Sequence, residues 1–171
     1  SSVAVYPLNV PSPTENHEPK PFNPYGESKL KAEQVFRRWA QETPGATLVI
    51  VRLCVVFGEG NRGNVYNLLS QIHRKRFLMV GRGLNKKSMA YVGNVSRFLA
   101  GCLAYPPGTH LLNYADKPDL SVVELLAIAR RELGVLSSER QRRESVPSSP
   151  PAAPSPFQLS LAREVSLGYF T

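Results

Sequence analysis

The 171-residue chain lacks an initiator methionine, a signal-like leader and any apolar run long enough to cross a bilayer. The last two absences predict a soluble protein with no membrane span. Cysteine is scarce. Cys54 and Cys102 each sit in an apolar run, without CxxC or Cys/His spacing, which excludes a zinc cluster and a disulfide framework. Two buried thiols in a reducing, cytoplasmic compartment fit that pattern, and no metal is expected. Basic residues exceed acidic ones, giving a formal charge of +8, yet they come in scattered twos and threes. Arg37-Arg38 read as the wet side of a helix, and Arg74-Lys75-Arg76 stand where a second helix should end and offset its exposed carbonyls. No nucleic-acid partner is expected. With 42% hydrophobic and 20% charged residues, the chain can bury the core of one globular domain.

The order of elements is read from periodicity and punctuation. The chain opens directly on SSVAVY, a serine pair running into a strand-like stretch, as if in mid-fold. Asn23 is a good helix cap and Pro24 suits the first helical position; Ala32, Val35, Phe36 and Trp39 follow at helical spacing. After the Pro44-Gly45 turn, Leu48 to Phe57 is apolar except for Arg52, which predicts a parallel strand covered on both faces. Arg52, buried there, requires a carboxylate or carbonyl partner. Residues 64–76 predict a helix with Val65, Leu68, Leu69 and Ile72 on one side. Residues 77–80 predict a short strand, GRGLNKKS a polar loop, and SMAYV another short extended piece. A helix stripe through Val95, Phe98, Leu99 and Cys102 and a strand at HLLNYA come next. Ser121 and Glu124 then form a capping box that opens a helix running to Gly134. Strands alternating with helices predict an α/β layer fold. Beyond residue 134 serine, proline and arginine dominate, so residues 135–171 read as a tail, with 137–156 disordered. That tail is either a linker or a stretch of altered reading frame after a damaged gene end.

Two stretches bear on chemistry. In NPYGESKLKAEQ, Tyr25 and Lys29 stand four apart on the first turn of a helix, either as a lysine packed along a phenol or as a phenol whose acidity the ammonium adjusts. Residues 58–63, GEGNRG, satisfy G-x-G-x-x-G after an apolar strand, with Arg82 following a second short strand where a 2′-phosphate would be read. Glu59 counts against a pyrophosphate there, because it adds negative charge.

SSVAVY, YGESK, RLCVVFGEGNRGNVYNLL and KSMAYVGNV, in that order over residues 1–134, resemble the landmarks of the extended short-chain dehydrogenase/reductase family, in its nucleotide-sugar epimerase/dehydratase branch. The resemblance implies a partial Rossmann-like parallel sheet with a small α/β substrate lobe. It makes Tyr25 the catalytic acid/base, has Lys29 lower the phenol's pKa and bind the nicotinamide ribose, and has Ser2 hold the reacting oxygen. Ser2 can equally be a strand-end hydroxyl bonded locally. An ammonium ~4 Å from a phenolate is worth about 4 kcal/mol at an effective dielectric near 20, and about a quarter of that in water, so such a site has to be sheltered.

By the same resemblance Asn64 and Lys87 contact the diphosphate of a nucleotide-diphosphate sugar, the alternatives being a helix cap for Asn64 and a solvated loop lysine for Lys87. NAD or NADP is the cofactor, and dimerisation through a helix such as 25–40 is usual. Two departures stand out. Pro7 replaces the usual glycine after the Val5-Tyr6 pair, and Val3 and Ala4 stand where dehydratases carry Asp-Glu, which disfavours dehydration. C4 epimerisation or reduction of a 4-keto sugar remains. The family's cofactor-binding glycine loop lies upstream of the serine pair, so this polypeptide alone is expected to bind NAD(H) or NADP(H) poorly and to be inactive. A non-catalytic truncated remnant or binding module is the alternative.

Overall fold

The computed structural model describes the backbone of residues 1–143 and the side chains as far as 134. Two compact units emerge, residues 1–56 with 93–115, and residues 57–92 with 116 onward.

In the first unit, helix α1 spans Pro24–Glu42. Asn23 caps it, its side chain accepting a hydrogen bond from the Gly26 amide at 2.8 Å, Pro24 enters the first turn, and Glu27 places negative charge at the positive end of the helix dipole. The helix stops at Thr43, and Gly45, with φ +78°, turns the chain into strand β1 (Thr47–Leu53). β1 pairs in parallel with β4 (Gly108–Tyr114), from Thr47 opposite Gly108 to Leu53 opposite Tyr114. Ser2 forms a parallel bridge to Leu53, so the opening residues add to the same sheet beyond β1. The chain then tightens into a 3-10 turn over Val3–Val5. Helix α3 (Val92–Gly101) leads back toward β4, and Phe98 stacks on Tyr114 with ring centroids 4.5 Å apart.

Arg52 has the carboxylate partner its burial requires. Its guanidinium donates from Nε to Glu33 Oε1 at 2.9 Å and from Nη2 to Oε2 at 2.7 Å, with both side chains almost wholly removed from water. Nη1 donates to the Tyr6 hydroxyl at 2.6 Å, which donates to Asn113 on β4 at 3.0 Å. Asn113 in turn donates from its amide side chain to the Pro13 carbonyl at 3.1 Å and from its backbone to Glu15. One charged network therefore ties α1, β1, β4 and the loop after Pro7 together.

In the second unit, helix α2 (Asn64–His73) lays Val65 and Ile72 into the interior, with Leu68 and Leu69 packed beside them. Strands β3 (Lys86–Tyr91) and β5 (Asp116–Ser121) pair antiparallel, Lys87 opposite Leu120, with an irregularity between Lys87 and Met89. Helix α4 (Val122–Arg143) opens on a reciprocal cap: Ser121 Oγ accepts from the Glu124 amide at 3.2 Å while Glu124 accepts from the Ser121 amide at 2.8 Å. Phe57, Met89, Leu125 and Ile128 fill the core between these elements.

Several expectations are corrected. The apolar run from Leu48 to Phe57 is two strands, β1 and β2 (Val55–Phe57), broken at Cys54, and the chain passes from one unit to the other between Val56 and Phe57. Residues 77–80 form no strand, because no neighbouring backbone pairs with them. Lys86, Lys87 and Ser88 belong to β3 rather than to a loop. β5 went unread because Pro118, following a cis bond, reads as a breaker. α2 ends at His73, and α4 continues past Gly134 to Arg143; residues 144–156 of the expected disordered stretch lie outside the described residues.

Burial alone would raise the Glu33 carboxyl, but the hydrogen bonds from Arg52 and Ser1 outweigh it and hold it below its ordinary value of 4.5. A depressed carboxylate stabilises the fold above its unfolded value, and that stabilisation is lost as pH falls through the lower folded value. Removing one partner strands a buried charge. Glu33→Ala and Arg52→Met should each cost about 3–5 kcal/mol in urea unfolding, and the double variant clearly less than their sum. Glu33→Gln should flatten the loss of stability below the ordinary carboxylate range; an acid limb identical to that of the parent chain would contradict this assignment.

Candidate active site

Tyr25, Lys29 and Glu33 lie four residues apart along one stripe of α1. Glu33 faces inward to Arg52, so the ion pair sets the rotation of the helix and thereby the side on which Tyr25 and Lys29 emerge. Tyr25 is 56% exposed. The Lys29 ammonium lies over the phenol ring, 5.3 Å from its centroid, which is the lysine-along-a-phenol alternative. Neither the hydroxyl nor the ammonium hydrogen-bonds to another described residue, so both are available to a ligand. The shelter expected around this pair is incomplete among the described residues, which leave more than half of Tyr25 exposed.

Ser2 stands one backbone layer away. Its hydroxyl accepts from the Ala4 amide at 3.2 Å and caps the 3-10 turn, the local role foreseen as its alternative. That bond uses the oxygen only, and the O–H remains free to donate. The turn reaches the first turn of α1 through a glycine: a Cβ built on Gly26 would stand 2.2 Å from the Ala4 carbonyl oxygen and 2.9 Å from the Pro21 Cβ. Only a residue without a side chain lets the two turns come this close. Val3 and Ala4 supply no carboxylate here.

Asn64 and Lys87 belong to the second unit. Asn64 is exposed at the first position of α2, and the capping position is Gly63, which offers no side chain to the open amides. Asn64 is therefore not the cap. Lys87 is exposed on β3, with no ion-pair partner among the described residues.

The GEGNRG loop does not fit a pyrophosphate. The Gly63 amide already donates to Asn61 Oδ1 at 2.7 Å, and Glu59 accepts from the Tyr91 hydroxyl at 3.0 Å. Burial, and then the hydrogen bond and charge of Glu59, push the Tyr91 phenol up. Gly60 has open space around it, so no close approach demands a glycine there. Arg82 follows no strand. Among the described residues no group of His, Cys, Asp and Glu could hold a metal ion, and no helix is long and apolar enough to cross a membrane.

Sequence reasoning missed Glu33 as the partner of Arg52, although a carboxylate eight residues after Tyr25 on the same stripe was the available signal.

A family model described as NAD dependent epimerase/dehydratase matches residues 1–115. The chain belongs to that family. It is 52% identical over 135 residues to an N-acetyl-alpha-D-glucosaminyl-diphospho-ditrans,octacis-undecaprenol 4-epimerase of Escherichia coli O157:H7, an alignment covering 78% of this chain and 41% of the relative. The chain thus spans less than half the length of the curated relatives it matches. Among solved structures it resembles MoeE5 in complex with UDP-glucose and NAD, at 26% identity and a TM-score of 0.66, covering 78% of this chain and 46% of that one. The UDP-glucuronic acid 4-epimerase of Bacillus cereus in complex with NAD, at 21% identity and a TM-score of 0.68, shares the fold over 78% of this chain and 45% of its own. The fold is α/β with a parallel pair of strands, and its structural neighbours include an epimerase in complex with NAD.

The Gly26 contact is directly testable. Gly26→Ala should destabilise the chain by about 1–3 kcal/mol in urea unfolding, as overpacked sites do, because backbone opposes the added methyl. Gly60→Ala, at an open position with φ +76°, should carry only the backbone cost of its left-handed conformation, about 1 kcal/mol. Equal losses at both sites would remove the close approach as the reason for Gly26.

Proposed function

We propose that residues 1–134 are the catalytic and substrate-binding portion of an NAD(P)-dependent sugar 4-epimerase or 4-keto reductase, with residues 135–171 an appended tail. The reading is supported above all by the packing of the Ser2 turn on Gly26, which sets the three residues of the family's proton-handling group on adjoining backbone turns.

In this reading Tyr25 takes the proton of the C4 hydroxyl while the C4 hydrogen leaves, and Ser2 donates a hydrogen bond to the same oxygen. NAD(P), when bound, would supply the hydride acceptor and donor that this chemistry requires. Lys29 favours the ionised phenol and reaches the nicotinamide ribose; its free ammonium on the same helix turn fits that role. For either a 4-epimer or a reduced 4-keto sugar, Tyr25 would give its proton back to the C4 oxygen. Expelling water would need a second acid/base pair, and the turn Val3–Val5 carries none.

Asn64, at an uncapped helix N-terminus, and Lys87, an unpaired cation, suit the diphosphate of the substrate. The 52% identical relative acts, by its name, on an N-acetylglucosaminyl diphosphate carried by a polyprenol, which favours a second reading in which the diphosphate bears a lipid rather than a nucleotide. Val35, Phe36 and Trp39, exposed along α1, suit a homodimer of the longer protein. The cytoplasm, where Cys54 and Cys102 stay reduced, is the proposed compartment.

In a protein extended to the relatives' full length, Tyr25→Phe should lower turnover about 10²–10⁴-fold while leaving NAD binding nearly intact. Unchanged turnover would remove Tyr25 from the mechanism. Calorimetric titration of the present chain should show weak NAD binding, and binding of a UDP-sugar should weaken on Lys87→Ala. A chain that binds no diphosphate sugar, extended or not, is the remnant of the alternative reading.

A further inference from the structure

Residues 60–92 of the second unit carry seven Lys and Arg and not one Asp or Glu. In their midst stands an unpaired extended segment, Phe77-Leu78-Met79-Val80, set between Arg74-Lys75-Arg76 and Arg82. Its side chains alternate. Phe77 and Met79 turn toward α4, where they line a cavity of about 190 Å³ with Val123, Leu126, Ala127 and Arg130. Leu78 and Val80 turn the other way and are 82% and 89% exposed, and Leu84 a few residues on is 63% exposed. The segment's far end is anchored, since the Gly83 carbonyl accepts from the Val123 amide at 3.1 Å and the Asn85 carbonyl from the Val122 amide at 3.2 Å. A second cavity of about 560 Å³ opens beside Phe77, walled by Ile72 and Leu133 and rimmed by His73, Lys75 and Arg130.

We infer that residues 74–86 form a membrane-contacting patch that seats on an anionic phospholipid surface. The charge distribution selects this occupant. Large apolar side chains at full exposure are unfavourable in water, and cations on both sides of them oppose pairing with a second copy of the same patch. An interface of lipid headgroups and acyl chains satisfies both: the aliphatic side chains enter the acyl boundary while the arginines and lysines meet phosphate. Lys86 acts electrostatically on the carboxylates of Asp119 and Glu124. The inference extends the lipid-diphosphate reading of the substrate, because a protein working on a polyprenol-borne sugar has to meet it at the bilayer surface. It concerns the surface alone and does not depend on catalysis.

The test is co-sedimentation of the full chain with phosphatidylcholine vesicles that contain or lack phosphatidylglycerol. Binding is expected only with phosphatidylglycerol and should weaken with salt. The triple variant Arg74→Gln, Lys75→Gln, Arg76→Gln should lower the partition constant about a hundredfold, and Leu78→Ser with Val80→Ser about tenfold, with the circular dichroism of the fold unchanged. Vesicle binding that both variants leave intact would assign it to another part of the chain and overturn the inference. So would absence of binding by the unaltered chain, displacement from vesicles by a duplex oligonucleotide at equal charge, or self-association abolished by the Leu78 and Val80 changes without any vesicle binding. Loss of vesicle binding in a chain whose UDP-sugar titration is unchanged would uphold the patch and leave the catalytic reading to its own test.

Discussion

A buried arginine in an apolar strand has few tolerable environments, and here it has one carboxylate in bidentate geometry. Because Glu33 comes from α1 and Arg52 from β1, the pair couples the helix's rotation to the sheet's position. Tyr6 and Asn113 extend the coupling to β4 and to the loop after Pro7. The stripe that carries Glu33 inward carries Lys29 and Tyr25 toward the helix N-terminus. Gly26 sets the remaining coordinate, the distance between that N-terminus and the turn capped by Ser2.

A phenol half exposed to water, with its lysine over the ring face, experiences a screened field. Proton handling of the proposed kind needs water excluded, and the aligned stretch is only 41% of the 52% identical relative's length. Ser2, Tyr25 and Lys29 belong to the first unit, and Asn64 and Lys87 to the second. An uncapped helix start and an unpaired lysine are suited to phosphate in a way that the GEGNRG loop, occupied by Asn61 and Glu59, is not.

Much of this was legible in the sequence. Local rules carried α1 and α4, because Asn23-Pro24 and Ser121/Glu124 place donors and acceptors within one turn of each other and need no tertiary partner. The demand for a partner to Arg52 was legible from electrostatics, but its identity was not, since pairing across nineteen residues depends on how α1 docks. Residues 77–80, expected as a strand, and 116–121, for which no strand was expected, differ from the sequence reading for one reason. Strand formation needs a neighbouring backbone, which apolar Phe77–Val80 lacks and polar, proline-containing Asp116–Ser121 finds in β3. The continuous apolar run at 48–57 concealed the passage between units, because apolar residues continue through Cys54 and the exposed Val55 with no polar punctuation. Exposure of Tyr25 was beyond sequence reasoning altogether, as spacing fixes a face and says nothing of what covers it.

The claim on which the rest depends is that the Arg52–Glu33 pair fixes the seating of α1 against the Ser2 turn. The nuclear Overhauser contact between the Gly26 α-protons and the Ala4 backbone reads that seating directly. It should be strong in the parent chain, vanish in Glu33→Ala, and persist in Trp39→Ala, a change on the exposed side of the same helix. A contact that survives Glu33→Ala undiminished would show that the helix is seated by something other than the buried ion pair.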